Sequence, residues 1–85
     1  MTDLQKNTII DELSQLSVKI KEQRYSASIA VRNLNFLVNS LRNLAGFNEI
    51  EPTVKLISKQ WFGYTNYERR KHVDKLVKII KEVIN

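Results

Sequence analysis

Apolar residues recur every three or four positions along most of this chain, a spacing that places them on one side of a helix. In the clearest stretch the repeat is about 3.5 residues, the period of helices that pack in a bundle or coiled coil. Its members are Ala27, Ala30, Val31, Leu34, Leu37, Val38, Leu41, Leu44 and Ala45. The whole chain has only two glycines and one proline, which is little turn chemistry for a many-stranded sheet. The chain is therefore expected to be all-α.

Three further apolar stripes predict three more helices. They consist of Ile9, Leu13, Leu16 and Ile20; of Val54, Ile57 and Trp61; and of Val73, Leu76, Val77, Ile80, Val83 and Ile84. Four amphipathic helices with short connections predict a single domain over residues 1–85, folded as an antiparallel four-helix bundle. A three-helix bundle, in which the third segment is only a turn, is the alternative.

Two capping boxes mark helix starts. Thr2 with Gln5 opens the first helix, and Thr65 with Glu68 opens the fourth. In each pair the two side chains satisfy free amides of the first turn reciprocally. Gly63, just before the second box, is predicted to end the third helix.

The middle boundaries depend on weaker signals. The chain is expected to break after Arg24, with Ser26 or Ser28 as the N-cap of the second helix. One continuous helix across this point is the rival interpretation. Gly46 is predicted to close the second helix in a positive-φ conformation, and Pro52 to occupy the first position of the third.

Composition argues against an enzyme. The 85 residues include no cysteine and a single histidine, His72, so no cysteine nucleophile and no multi-histidine metal site exists. We expect no catalytic residue, no cofactor and no metal. The N-terminus does not look like a signal peptide, and no apolar run approaches the ~20 residues of a spanning helix. A cytoplasmic location is expected, with peripheral membrane contact left open.

The charge is unevenly distributed. The chain carries 14 basic and 9 acidic residues, a net charge of +5. Six of the bases but only three of the acids fall between Tyr67 and Asn85. A basic helix face is typical of contact with an acidic partner or an anionic membrane surface, although a merely solvated face has the same composition. A second stretch, from Gln23 to Asn48, has three arginines, five asparagines and no acid.

An aromatic cluster separates the third and fourth helices and contains four of the chain's seven aromatic residues. We expect Trp61 and one neighbour to lie in the core and the others to be exposed for contact, because Trp and Tyr suit interfaces that are part apolar and part wet. Together with the basic helix, this cluster predicts a partner-binding surface. Its predicted members are Trp61, Phe62, Tyr64, Tyr67, Arg69, Arg70, Lys71, Lys75 and Lys78.

The chain resembles the enterocin A immunity family, whose members are immunity proteins against pediocin-like bacteriocins. The matching segments are Arg24-Tyr25-Ser26, Leu56-Ile57-Ser58-Lys59-Gln60-Trp61 and the aromatic-Thr-x-Tyr element Tyr64-Thr65-Asn66-Tyr67. The similarity extends over nearly the full chain.

The resemblance implies a cytosolic antiparallel bundle that protects the producing cell from a bacteriocin. In this family, protection involves the mannose phosphotransferase permease that the toxin targets. The immunity protein acts from inside on the receptor–toxin complex, and its C-terminal half governs which toxin is recognised. Many members have a flexible tail after the fourth helix, whereas this sequence stops at Asn85. The resemblance therefore points to the fourth-helix face and to residues 61–67.

A small regulatory or nucleic-acid-binding protein is the alternative. The turn around Gly46 could belong to a helix-turn-helix. The helix after that turn carries only two basic residues, Lys55 and Lys59, which is little for a recognition helix that must approach phosphates. Binding to nucleic acid is therefore not expected.

Overall fold

A computed structural model, which describes residues 2–84, contains four α-helices and no strand in that range. The helices are α1 (Asp3–Lys21), α2 (Ala27–Asn39), α3 (Phe47–Gln60) and α4 (Asn66–Ile84), with one 3-10 turn, η1 (Trp61–Gly63), between α3 and α4. The predicted all-α, antiparallel four-helix bundle is confirmed. The three-helix alternative is wrong, because α3 is a full helix of 14 residues.

The helices form a closed ring in which each packs against its neighbours in chain order and α1 returns to α4. The α1–α4 interface is the most extensive. All four helices and η1 contribute to one apolar core, which includes the predicted stripes of α1 and α4. The largest fully buried side chains are Trp61, Leu13, Ile20, Leu34, Leu41, Ile50, Ile57, Leu76, Ile80 and Val73. Because α2 and α4 occupy opposite corners of the ring, their outward sides face away from each other.

Both predicted capping boxes form. The Thr2 amide donates to Gln5 Oε1 at 2.8 Å, and the Gln5 amide donates to Thr2 Oγ1 at 3.1 Å. At the start of α4, the Thr65 amide donates to Glu68 Oε1 at 2.9 Å, and the Glu68 amide donates back to Thr65 Oγ1 at 3.2 Å. These four bonds satisfy amides that have no partner within their own helix.

The break between α1 and α2 is confirmed, and its geometry explains why no glycine is required. Gln23 adopts a left-handed conformation with φ 57°. Its amide donates to Ile20 O at 3.1 Å, and the Arg24 amide donates to Lys19 O at 2.9 Å. This pair of bonds is the Schellman ending, which glycine usually provides. Ser26 then caps α2 by accepting the Ile29 amide at 3.2 Å.

The predicted end of the second helix at Gly46 is wrong. Helix α2 ends at Asn39, and residues 40–46 form a series of turns. Backbone hydrogen bonds between residues three apart, such as the bond from the Leu44 amide to Leu41 O at 2.9 Å, continue the turns after the α-helix has ended. Leu41 therefore remains fully buried. The apolar spacing of the sequence therefore extends beyond the α-helix, because Leu41 is buried although it lies in a turn.

Gly46 has positive φ as predicted. It is, however, the residue directly before α3 and not the residue that ends α2. Its φ is 90°, and a β-carbon built on it would lie 2.7 Å from Val83 Cγ1. The α2–α3 turn thus packs directly against the end of α4. The prediction that Pro52 opens the third helix is also wrong, because α3 begins at Phe47 and Pro52 lies in its second turn. Glu49 in the first turn complements the helix dipole there.

Gly63 does not end α3 either. The α-helix stops at Gln60, and the chain tightens into η1 before Tyr64 becomes extended. Gly63 has no atom within 4 Å of an added β-carbon, and among the glycines only Gly46 has positive φ. The change of direction is therefore made by η1 and by the packing of Trp61, which is fully buried.

Candidate protein-interaction surface

Trp61 anchors the predicted surface from inside the bundle. Its side chain is fully buried, and its indole Nε1 donates a hydrogen bond to Ala27 O at 2.8 Å. Ala27 is the first residue of α2. Trp61 thus ties η1 to the start of a distant helix. Its predicted core position is confirmed, and it presents no side-chain surface to a partner.

Arg69 packs against Trp61. Its Nε donates to Trp61 O at 3.0 Å, and its guanidinium carbon lies 5.7 Å from the centroid of the Trp61 ring. Nη1 also donates to Asn66 Oδ1 at 2.8 Å. An arginine held by two hydrogen bonds and an aromatic face is positioned to dock α4 onto η1. The structure therefore separates Arg69 from the exposed bases with which the sequence grouped it.

Tyr64 occupies the edge of the core. It is half-buried, its hydroxyl donates to Gln60 Oε1 at 2.8 Å, and its ring stacks on His72 with centroids 4.5 Å apart. The planes of the two rings differ by 14°. Tyr64 is thus the one neighbour of Trp61 that packs against the core, as expected. The single histidine of the chain is its packing partner.

The capping box at the start of α4 also has an electrostatic effect. The pKa of Glu68 is lowered chiefly because its carboxylate accepts hydrogen bonds from the Thr65 backbone amide and side chain, with smaller contributions from the charges of His72 and Arg69. Hydrogen bonds to the charged form favour ionisation. An ionised Glu68 in the first turn also complements the helix dipole.

The remaining members of the predicted surface point outward. Phe62 is 65% exposed and Tyr67 is 71% exposed, large fractions for aromatic side chains in a small protein. Lys71, Lys75 and Lys78 are exposed along the outward side of α4. We call these five residues the α4 surface. The other predicted members, Trp61, Tyr64, Arg69 and Arg70, are buried or half-buried.

The lysines of the α4 surface are not neutralised by neighbours. Within residues 2–84, ion pairs join Lys6 to Asp3, Arg24 to Glu22 and Lys55 to Glu51, and none involves a base of α4. Asp74 lies between the lysines and is four positions before Lys78, a spacing that allows an ion pair on a helix, but the two side chains form none. The α4 surface therefore keeps its positive charge available to a partner.

Arg70 lies at the margin of the α4 surface. It is half-buried, and its Nε is enclosed without a hydrogen-bond partner among the described residues. It lines a shallow depression with Tyr67, Lys71 and Asp74. Arg70 thus shares this depression with the exposed Tyr67, but it is itself less exposed than the lysines.

The described residues provide neither a metal-ligand cluster nor a membrane-spanning helix. Between residues 2 and 84, no group of three His, Asp or Glu side chains is arranged to hold a metal ion. No described helix has the combination of length and apolar character that crossing a bilayer requires.

The outward side of α2 has exposed apolar residues that the sequence pattern did not predict. Ile29 and Phe36 are 44% and 72% exposed there. Their separation of seven residues places them on one side of the helix. The pattern was hidden because the stronger apolar stripe of α2 faces the core.

Comparisons of the chain with protein-family models, with curated protein sequences and with solved structures found no match.

Proposed function

We propose that this protein is a bacteriocin immunity protein of the enterocin A immunity type, which acts on the complex of a pediocin-like bacteriocin with the mannose phosphotransferase permease at the inner membrane face. The proposal starts from the resemblance of three short segments. The single structural observation that supports it is the α4 surface, where the exposed Tyr67 shares a depression with Lys71, the exposed lysines form no ion pair within residues 2–84, and Phe62 is exposed in the preceding turn.

The composition of the α4 surface suits a transient contact with a partner that has an acidic and apolar surface. A few residues that become buried contribute most of the binding energy of a protein interface, and aromatic residues such as Tyr are enriched among them. Exposed lysines accelerate association and orient it, and they do so less at high salt. Phe62 and Tyr67 would thus provide affinity, and Lys71, Lys75 and Lys78 would provide orientation.

The first experiment is expression in a strain sensitive to pediocin-like bacteriocins, followed by challenge with a panel that includes any toxin encoded beside the gene. We expect survival against at least one toxin. Equal killing of expressing and empty-vector cells by every toxin, at verified expression, would rule the proposal out.

The second experiment assigns protection to the α4 surface. The triple variant Lys71→Gln, Lys75→Gln, Lys78→Gln is compared with a triple variant on the α1 side, Lys6→Gln, Lys21→Gln, Arg24→Gln. Both remove three positive charges, so net charge alone cannot distinguish them. We expect protection to fall only in the α4 variant. Equal loss in both would mean that overall basicity, and not this surface, is responsible.

A third experiment tests the nucleic-acid alternative with the same wild-type protein. That alternative requires binding to duplex DNA that weakens steeply as salt rises. A mobility-shift assay at low salt measures it. We expect no shift, and a salt-sensitive shift that disappears in Lys55→Gln, Lys59→Gln would favour a regulator that uses α3.

A further inference from the structure

Helix α2 has a second stripe, on its outward side. Ile29, Arg32, Asn33 and Phe36 follow the spacing of residues that share one helix face and together line a shallow depression. Phe36 is 72% exposed, the largest exposure of any phenylalanine in the chain. We call these four residues the α2 stripe. Helix α2 therefore presents two large apolar side chains, Ile29 and Phe36, to solvent in addition to its apolar side toward the core.

A groove between α1 and α2 adjoins this stripe. It has a volume of about 290 Å³, with Leu16 and Leu37 among its lining residues and Phe36 on one side. On the opposite side Lys19 Nζ lies 3.4 Å from the Tyr25 hydroxyl and 5.3 Å from the centroid of its ring. Leu16 and Leu37 are buried, so they form an apolar floor that a partner side chain can reach.

The α2 stripe carries positive charge that nothing nearby on α2 offsets. No acid occurs between Gln23 and Asn48, and Arg32 is exposed and forms no ion pair with any described residue. Asn33 is already engaged, since its Nδ2 donates to Ile29 O at 2.9 Å. The acid beside the groove is Glu12, on the α1 side. Lys19, also on α1, lines the same groove and offsets this acid. The remaining positive charge is that of Arg32 on α2, so a complementary ligand places its negative charge toward Arg32.

We propose that the α2 stripe and its groove bind an amphipathic helix of a partner protein, with the apolar side of that helix covering Phe36 and its acidic residues facing Arg32. Apolar anchors entering a groove are the usual mode for such helices. A concave groove with a carboxylate in its wall suits a protein better than a flat anionic bilayer. Because α2 and α4 lie at opposite corners, this contact is separate from the α4 surface and does not depend on the proposed function.

The test is a titration of isotope-labelled protein with a stapled amphipathic helix that has leucines on one side and glutamates along one flank. A twin peptide has lysine in place of every glutamate. Amide chemical shifts locate the binding site and give Kd. We expect the shifts at residues of the α2 stripe and the groove, and at least about tenfold weaker binding of the lysine twin, equivalent to about 1.4 kcal/mol.

Two variants and one matched control assign the contact. Phe36→Ala and Arg32→Glu should each weaken binding of the acidic peptide about tenfold. Phe62→Ala removes a similarly exposed ring elsewhere and should leave Kd unchanged. All three positions are exposed, so the fold should be retained, which the spectra themselves verify.

Three outcomes would overturn the proposal. The first is the absence of shifts at the α2 stripe, and the second is equal affinity for the two peptides. The third is obtained with phosphatidylglycerol vesicles: if they perturb Ile29 and Phe36 and the peptide does not, the stripe binds a membrane and not a protein helix.

Discussion

The turn between α3 and α4 has an inner side that packs on the core and an outer side that faces solvent, and each side has one aromatic and one basic residue. On the inner side, Trp61 is fully buried and Arg69 hydrogen-bonds to its carbonyl oxygen at 3.0 Å. On the outer side, Phe62 follows Trp61 directly in the chain and is 65% exposed, and Lys71 extends into solvent. The difference arises because η1 turns successive side chains in different directions.

This contrast shows how a small bundle combines stability with an accessible surface. The inner residues are held by hydrogen bonds to other elements, such as the bond from Trp61 Nε1 to Ala27 O. The outer residues have no such partners within residues 2–84, so replacing them should change binding and leave folding unaffected.

The largest expected effect is on stability at Trp61. Trp61→Ala leaves a large cavity and removes the hydrogen bond to Ala27 O, and should lower the free energy of unfolding by about 3–5 kcal/mol. Phe62→Ala should change it by no more than about 0.5 kcal/mol. Urea denaturation followed by circular dichroism measures both. Similar losses in the two variants would contradict the division between inner and outer residues.

The two glycines differ in the same way, because Gly46 packs against another element and Gly63 does not. Gly46→Ala introduces a β-carbon at φ 90° and 2.7 Å from Val83 Cγ1, and should cost about 2–4 kcal/mol through strain and overpacking. Gly63→Ala meets nothing within 4 Å and should be nearly neutral. Thermal melting of both variants provides the measurement. A stable Gly46→Ala protein would mean that the α2–α3 turn can move away from α4.

The third prediction separates Arg69 from Lys71, which have the same charge and lie two positions apart. Arg69→Gln loses the hydrogen bonds to Trp61 O and Asn66 Oδ1 and should destabilise the protein by about 1–2 kcal/mol. Lys71→Gln should leave stability within about 0.5 kcal/mol.

The bacteriocin challenge should order these two positions differently from the stability measurements. At a temperature where both variants are folded, Lys71→Gln should reduce protection and Arg69→Gln should not. The reverse order would place Arg69 in the partner contact and remove Lys71 from it.

The smallest expected effect is the pH dependence at Glu68. Its folded-state pKa is lowered from the ordinary value of 4.5 by hydrogen bonds from Thr65. The stabilisation is therefore fully present above the unfolded-state pKa and is lost as pH falls through the folded-state value. Melting temperatures of wild type and Glu68→Gln should converge on acidification below about pH 4.5. A difference that stays constant from pH 7 to pH 3 would show that the carboxylate charge is irrelevant.

Most of the architecture was predictable because local signals agreed with tertiary packing. The apolar stripes placed the core residues of α1 and α4, and the pairs Thr2–Gln5 and Thr65–Glu68 form the bonds expected of capping boxes. The predicted boundaries around Gly46, Pro52 and Gly63 were wrong for one reason. Glycine and proline constrain the backbone in several contexts, and their neighbours in space decide which context applies.

For the candidate surface, the sequence predicted the segment but not which side chains are exposed. A run with four aromatics and six bases indicated where an interface could lie, yet it could not distinguish Trp61 from Phe62 or Arg69 from Lys71. That distinction depends on the close approach of η1 to the start of α2. Residues 34 positions apart in the chain meet there, and no local pattern encodes such a contact.

Periodicity and composition were enough to predict an all-α chain, its amphipathic stripes and the concentration of positive charge in the last helix, whereas the full length of α3 was needed to reject a three-helix bundle. Tertiary structure alone decided that Arg69 docks α4, that Gly46 packs against Val83, and that α2 presents Phe36 to solvent. These depend on contacts between segments far apart in the chain, where the packing of a small core selects one side of each residue to face inward.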